Sequence, residues 1–231
     1  DELLELAMEK GYSKDDILYH ASDFQPNFIK MLKKDRSVLQ KLNEEWSQVS
    51  DDPKLELFIN SLQNTLLSPD INPTGKLVVF SESVDTIKFL YDYLHNTMGR
   101  EDVLLITASN RNKKKSQVRA NFDANVPTEE QKDDFNIILT SDVLAEGVNL
   151  HRSNVIVNYD SPWNASRLMQ RIGRVNRIGS VAPNIYNFMF YTSQQGDKEI
   201  QLYKNALIKL QSFHSAYGED AQIYSREEIV K

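Results

Sequence analysis

From Lys76 onward, five short apolar runs recur between stretches of helical pattern: Leu77 to Phe80, Val103 to Thr107, Asn136 to Thr140, Asn154 to Tyr159 and Ile185 to Tyr191. Runs that are apolar at consecutive positions have both faces buried, and a sheet buried on both faces needs helices above and below it. The intervening lengths suit crossover helices. One of these carries Val84, Ile87, Leu90, Tyr91 and Leu94, with Ser81 or Ser83 available as its cap. The pattern predicts an α/β fold with a mostly parallel sheet in three layers, whose ligands gather at the carboxyl ends of the strands.

The first third reads differently. Phe28, Met31, Leu32, Leu39, Leu42 and Trp46 recur at helical spacing, and Leu55, Phe58, Ile59, Leu62 and Leu66 do so again after Pro53, a residue well placed in a first turn. The loop Ser68 to Gly75 then separates helix from sheet. A last helical pattern, Leu202, Leu207, Leu210 and Phe213, follows the fifth run. The expected division is a helical segment over 1–52, the α/β domain over 53–214 and a tail over 215–231. The chain starts at Asp1 directly in helical pattern, which suggests a piece of something longer.

Bulk properties narrow the function classes. The 231 residues carry a net charge of −6, so any nucleic-acid contact must come from a local basic patch. With no cysteine there is no disulfide framework, thiolate metal site or thiol nucleophile, and a reducing, cytoplasmic setting fits. No apolar run approaches bilayer length, so no membrane partner is expected. His20, His95, His151 and His214 are scattered without ligand spacing, and no metal site is predicted from them.

Two segments downstream of strands carry the chemistry. QRIGRVNRIG, Gln170 to Gly179, places Arg171 and Arg174 three apart on a helix, with Arg177 one turn on. Guanidinium forks held this way suit the oxygens of a phosphate chain. An arginine-rich face is also what a solvated helix shows. TSDVLAEGVNL, Thr140 to Leu150, follows the third run; Gly147 permits a backbone closed to other residues, and Asn149 offers donor and acceptor to a group such as a ribose. The arginine segment enters after the fourth run, which assigns it to the carboxyl edge of the sheet. The basic run Asn110 to Ser116, containing Lys113, Lys114 and Lys115, reads equally as a solvated helix start or as a contact to nucleic-acid phosphates. Trp163, in the turn SPWN, reads as packing that turn, with stacking on a base as the alternative.

Taken together these segments resemble the second RecA-like lobe of superfamily 2 helicases and translocases, close to the Swi/Snf-type and related bacterial helicase-like proteins, over roughly Pro53 to Tyr191. KLVVFSES resembles motif IV, TSDVLAEGVNL motif V and QRIGRVNRIG motif VI. The resemblance implies a RecA-like lobe that forms the carboxyl-terminal half of an ATP-dependent motor. Arg174 and Arg177 would be its arginine fingers, with Gln170 and Arg171 lining the ATP cleft and Gly147 and Asn149 near the nucleotide sugar. Thr140, Ser141 and Ser81 would lie near the nucleic-acid backbone, DNA being favoured over RNA.

A complete motor also needs a phosphate loop GxxxxGK[ST] and an acidic pair for magnesium. Neither is present, and PTGK, Pro73 to Lys76, lacks the first glycine, has Leu77 for the hydroxyl residue and precedes a strand. An amino-terminal lobe would therefore supply most of the ATP site and its Mg2+, and this chain alone is expected to be inactive. The rival reading is a RecA-like docking module without catalysis; three arginines facing a phosphate site have no use there.

Overall fold

A computed structural model describes residues 9–11, 24–144, 147–161 and 165–191. The expected helix at Leu202 to Phe213, the turn containing Trp163 and the tail from 215 lie outside the described residues. The chain divides into two compact units, 1–55 and 56–231.

In the first unit, helix α1 (Phe28–Ser47) has no buried residue, and Phe28, Leu32, Leu39, Leu42 and Trp46 are exposed along it. Helix α2 (Pro53–Ser61), most of which belongs to the second unit, starts with proline, whose missing N–H costs nothing in a first turn. The Asp52 carboxylate accepts the Leu55 N–H at 2.9 Å, satisfying one of the end donors. The helix then widens into a π turn over Leu62–Leu66.

The second unit contains β1 (Leu77–Phe80), α3 (Val84–Asp92), β2 (Val103–Ile106), α4 (Arg111–Phe122), β3 (Ile137–Thr140), β4 (Val155–Asn158), α5 (Ala165–Val175) and β5 (Tyr186–Met189). All five strands are parallel, in the order β2-β3-β1-β4-β5. Val78, Phe80, Leu104, Ile106, Ile138 and Ile156 form one core with Val118 and Phe122 of α4 and Leu168, Ile172 and Val175 of α5. Leu77, Val79, Ile137, Leu139, Val155 and Val157 point the other way by strand alternation and are equally buried. Both faces are therefore covered, as the unbroken apolar runs require, and the domain is a three-layer RecA-like α/β fold. Ser83 caps α3, its hydroxyl accepting the Thr86 N–H at 3.2 Å.

Chain direction explains which helices share a face. The step from β1 to β2 moves one way along the sheet, and the steps from β2 onward move the other way. Right-handed crossovers then put α4 and α5 on one face together, as found, and leave the opposite face to α3. The switch point lies between β1 and β4, and its carboxyl end is closed by side chains: Ser81 donates its hydroxyl to the Asp160 carboxylate.

Lys76 is a structural lysine. Its ammonium donates to the Phe135 carbonyl at 2.9 Å, pairs with Asp133 at 2.8 Å and sits 5.1 Å from the centre of the Phe122 ring. Burial pushes the Lys76 ammonium below its usual range, while the same hydrogen bond holds the Asp133 carboxyl low. This accounts for PTGK without any phosphate.

Candidate functional site

Helix α5 buries Leu168, Arg171, Ile172 and Val175, one stripe at helical spacing. Arg171 falls inside that stripe, so its guanidinium is fully enclosed. Its Nε donates to Asp142 Oδ1 at 2.7 Å, Nη1 donates to Asn158 Oδ1 at 2.9 Å, and Nη2 lies 2.6 Å from the same Asp142 oxygen. The Phe80 ring closes the other side, 5.2 Å from Cζ. Asp142 also accepts from Arg167 Nη1 at 2.9 Å. Gln170 is exposed and Arg174 half-buried.

The residues expected near a nucleic-acid backbone are equally occupied. Ser81 and Thr140 are fully buried and Ser141 nearly so. The Ser81 hydroxyl, besides donating to Asp160, accepts the Ser83 N–H at 3.1 Å, and Thr140 donates to the Ser141 carbonyl at 2.9 Å. The basic run forms the first turns of α4. Lys113 and Lys115 are exposed there, whereas the Lys114 ammonium turns back toward the Leu105 carbonyl at 3.3 Å.

Helix α5 runs antiparallel to the strands, and its length separates its two ends. Arg171 meets Asn158, the last residue of β4, at the carboxyl edge. Three residues on, the Arg174 carbonyl accepts the Leu150 N–H at 2.9 Å, and the Val181 N–H reaches the His151 carbonyl at 3.1 Å, both ahead of β4. Only the first part of the arginine segment therefore belongs to the carboxyl edge. A turn from Arg177 to Ser180 ends it, closed by Ser180 N–H to the Arg177 carbonyl at 2.9 Å and carried by Gly179 at φ 91°.

At this end the two chemistry-bearing segments meet. Arg177 donates from Nη1 to Asn149 Oδ1 and from Nε to the Gly173 carbonyl at 3.0 Å, while remaining exposed. Asn149 donates from Nδ2 to Asp123 Oδ2 at 3.3 Å. Gly147, at φ 79°, is exposed two residues earlier. Beneath them His151 is buried, with Nδ1 3.5 Å from the Ala124 N–H and 3.7 Å from Asp123 Oδ1. Burial holds the imidazole below its usual range; Asp123 pulls it up and Arg177 pushes it further down. Among the described residues no group of three or more His, Asp or Glu is placed to hold a metal.

Residues 55–179, more than half of the chain, match the helicase conserved C-terminal domain. The chain belongs to that family. It is a RecA-like lobe of the superfamily 2 C-terminal type. An uncharacterized ATP-dependent helicase, YqhH, of Bacillus subtilis (strain 168) is 32% identical over 94 residues, 40% of this chain and 16% of that protein. A probable eukaryotic initiation factor 4A of Trypanosoma cruzi (strain CL Brener) is 20% identical over 180 residues, covering 76% of the chain and 40% of its own length. The chain thus spans less than half the length of either relative. Among solved structures, the C-terminal part of the Fun30 ATPase domain aligns with a TM-score of 0.49 at 17% identity, over 68% of this chain and 48% of that one.

Asp123, Asp142, Asn158 and Asp160 are residues to which the sequence assigns no role, although Asp142 and Asp160 stand among the polar residues that follow the strands. Asp142 and Asn158 stand inside or beside quoted segments, and the spacing to Arg171 carried no signal of a pair. Asp123 follows a basic helix and becomes relevant only through the fold.

Proposed function

We propose that this helicase C-terminal lobe is the finger-bearing half of an ATP-driven nucleic-acid translocase, working on a nucleotide held mainly by an amino-terminal lobe. The observation that carries the reading is the meeting of Arg177 with Asn149. Two segments 28 residues apart converge on one exposed polar spot, with a donor fork and an amide side by side. The Arg177 guanidinium and Arg174 would face the γ-phosphate across the cleft, Asn149 and Gly147 the sugar, and Gln170 the rim. Positive charge supplied across an interface stabilises the charge spread over the transferring phosphoryl group, an effect on the order of a thousandfold in rate or more. Arg171 acts in this scheme as a strut that fixes α5, since its fork is already committed to Asp142 and Asn158.

Magnesium belongs to the amino-terminal lobe in this scheme. ATP closes the two lobes and hydrolysis reopens them, so that grip alternates along the backbone. Lys113 and Lys115, with Lys114, contact the phosphates of duplex DNA in a cytoplasmic protein. Ser81, Thr140 and Ser141 shape that edge from beneath.

The test uses the two-lobe protein. Arg174→Ala and Arg177→Ala should each lower nucleic-acid-stimulated ATP hydrolysis about a hundredfold or more while ATP affinity stays within several-fold. Turnover at the wild-type rate in both sinks the finger assignment. Stimulation by single-stranded RNA in place of duplex DNA would reassign the substrate.

A further inference from the structure

Arg177 is exposed, and an exposed arginine samples many rotamers unless its fork is anchored. Its Nη1 anchor is the Asn149 oxygen, and an amide oxygen faces a given direction only if the amide nitrogen is engaged on the other side. Here the Asn149 nitrogen is engaged by Asp123 Oδ2 at 3.3 Å. We infer that Asp123 is a positioning residue for Arg177, acting through the orientation of the Asn149 amide. This rests on the reading of Arg177 as a group that meets the nucleotide.

The surroundings leave Asp123 suited to that task. Its Oδ1 accepts the Asn125 N–H at 3.0 Å, which fixes the carboxylate and leaves Oδ2 for Asn149. His151 does not compete for Oδ2, because its Nδ1 faces Oδ1, 3.7 Å away, and lies 3.5 Å from the Ala124 N–H. Asp123 and Arg177 are the charged groups acting on that imidazole, and Gly179 leaves room beside its outer edge, with His151 Nε2 3.8 Å from where a Cβ would stand. The chain of donors is then one-directional: Arg177 to Asn149 to Asp123.

A relay of this kind has a specific signature. In Asp123→Asn the new amide oxygen stays with the Asn125 N–H, and its nitrogen faces Asn149. Asn149 must then turn its own oxygen toward position 123 and present its nitrogen to Arg177, donor against donor.

The experiment measures steady-state ATP hydrolysis at saturating nucleic acid for the two-lobe protein. Asp123→Asn should lower kcat about tenfold with KM for ATP within about threefold, at a wild-type melting temperature. Arg177→Ala in parallel separates the layers of the inference. If Arg177→Ala turns over at the wild-type rate, the finger reading falls and this inference with it. If Arg177→Ala is impaired and Asp123→Asn is not, only the role of Asp123 is overturned. A second readout is independent of turnover. The Asn149 side-chain amide resonances should move in Asp123→Asn more than those of other asparagines, and unmoved resonances overturn the contact itself.

Discussion

The enclosed Arg171 guanidinium pairs with the half-buried Asp142, its Nε and Nη2 lying 2.7 and 2.6 Å from one carboxylate oxygen. The pair joins the middle of α5 to the segment after β3, and Asn158 ties it to β4. Arginine is suited to this because its fork spans two acceptors at fixed angles and stacks over Phe80.

Arg171→Ala should destabilise the domain by about 3 kcal/mol, from the cavity beside Phe80 and the buried Asn158 oxygen that loses its donor, while Asp142 keeps Arg167. Arg171→Met, which refills the volume, should recover part of that loss. Urea unfolding of the three proteins checks this, and a change below about 0.5 kcal/mol for Arg171→Ala is the size of an exposed substitution and would mean that the pair does not hold α5.

Much of the sheet was legible because burial on both faces leaves a mark at every position of a strand. All five strands fall within the apolar runs, and of the two serines available as the cap of α3 it is Ser83 that caps it. The site was less legible for a geometric reason. Spacing places Arg171 and Arg174 near each other on a helix but does not say which side of the helix faces the sheet. Leu168, Ile172 and Val175 decide that, and they turn Arg171 inward. Spacing also could not show that α5 runs back past β4, which brings Arg177 to Asn149 and Asp123.

The His151 imidazole gives the folded lobe a dependence on acid. Burial lowers its folded pKa below the ordinary value of 6.5. As pH falls through about 6.5, the unfolded chain takes up a proton that the folded chain refuses, so stability is complete above that pH and declines below it. His151→Gln should flatten this decline. Denaturant midpoints at about pH 7.5 and about pH 5.5 test it, the lower value lying above the carboxylate range; parallel declines in the two proteins would assign the dependence to other groups.

Gly147 has φ 79° and nothing within 4 Å of where a Cβ would stand. The cost of a side chain there is backbone strain alone. Gly147→Ala should cost about 1 kcal/mol and Gly147→Asn less, since asparagine tolerates the left-handed region. Thermal unfolding orders the three; alanine equal to glycine would show that the segment shifts its backbone freely.

The basic start of α4 sets stability against binding. Arg111, Lys113, Lys114 and Lys115 stand in the first two turns with no acidic residue in the first, where the positive end of the helix dipole disfavours cations. Such an arrangement weakens the helix, which a merely solvated face has no reason to keep. Lys113→Glu with Lys115→Glu removes the two exposed charges and leaves Lys114 with the Leu105 carbonyl. The variant should be more stable by about 0.5 kcal/mol or more, because glutamate suits a helix start. Its affinity for duplex DNA should fall, and the slope of log affinity against log salt should flatten by about two units if each lysine neutralises one phosphate. Stabilisation with an unchanged salt slope would place the phosphate contacts elsewhere on the lobe, whereas loss of both stability and slope would mean that the lysines hold α4 through contacts of their own.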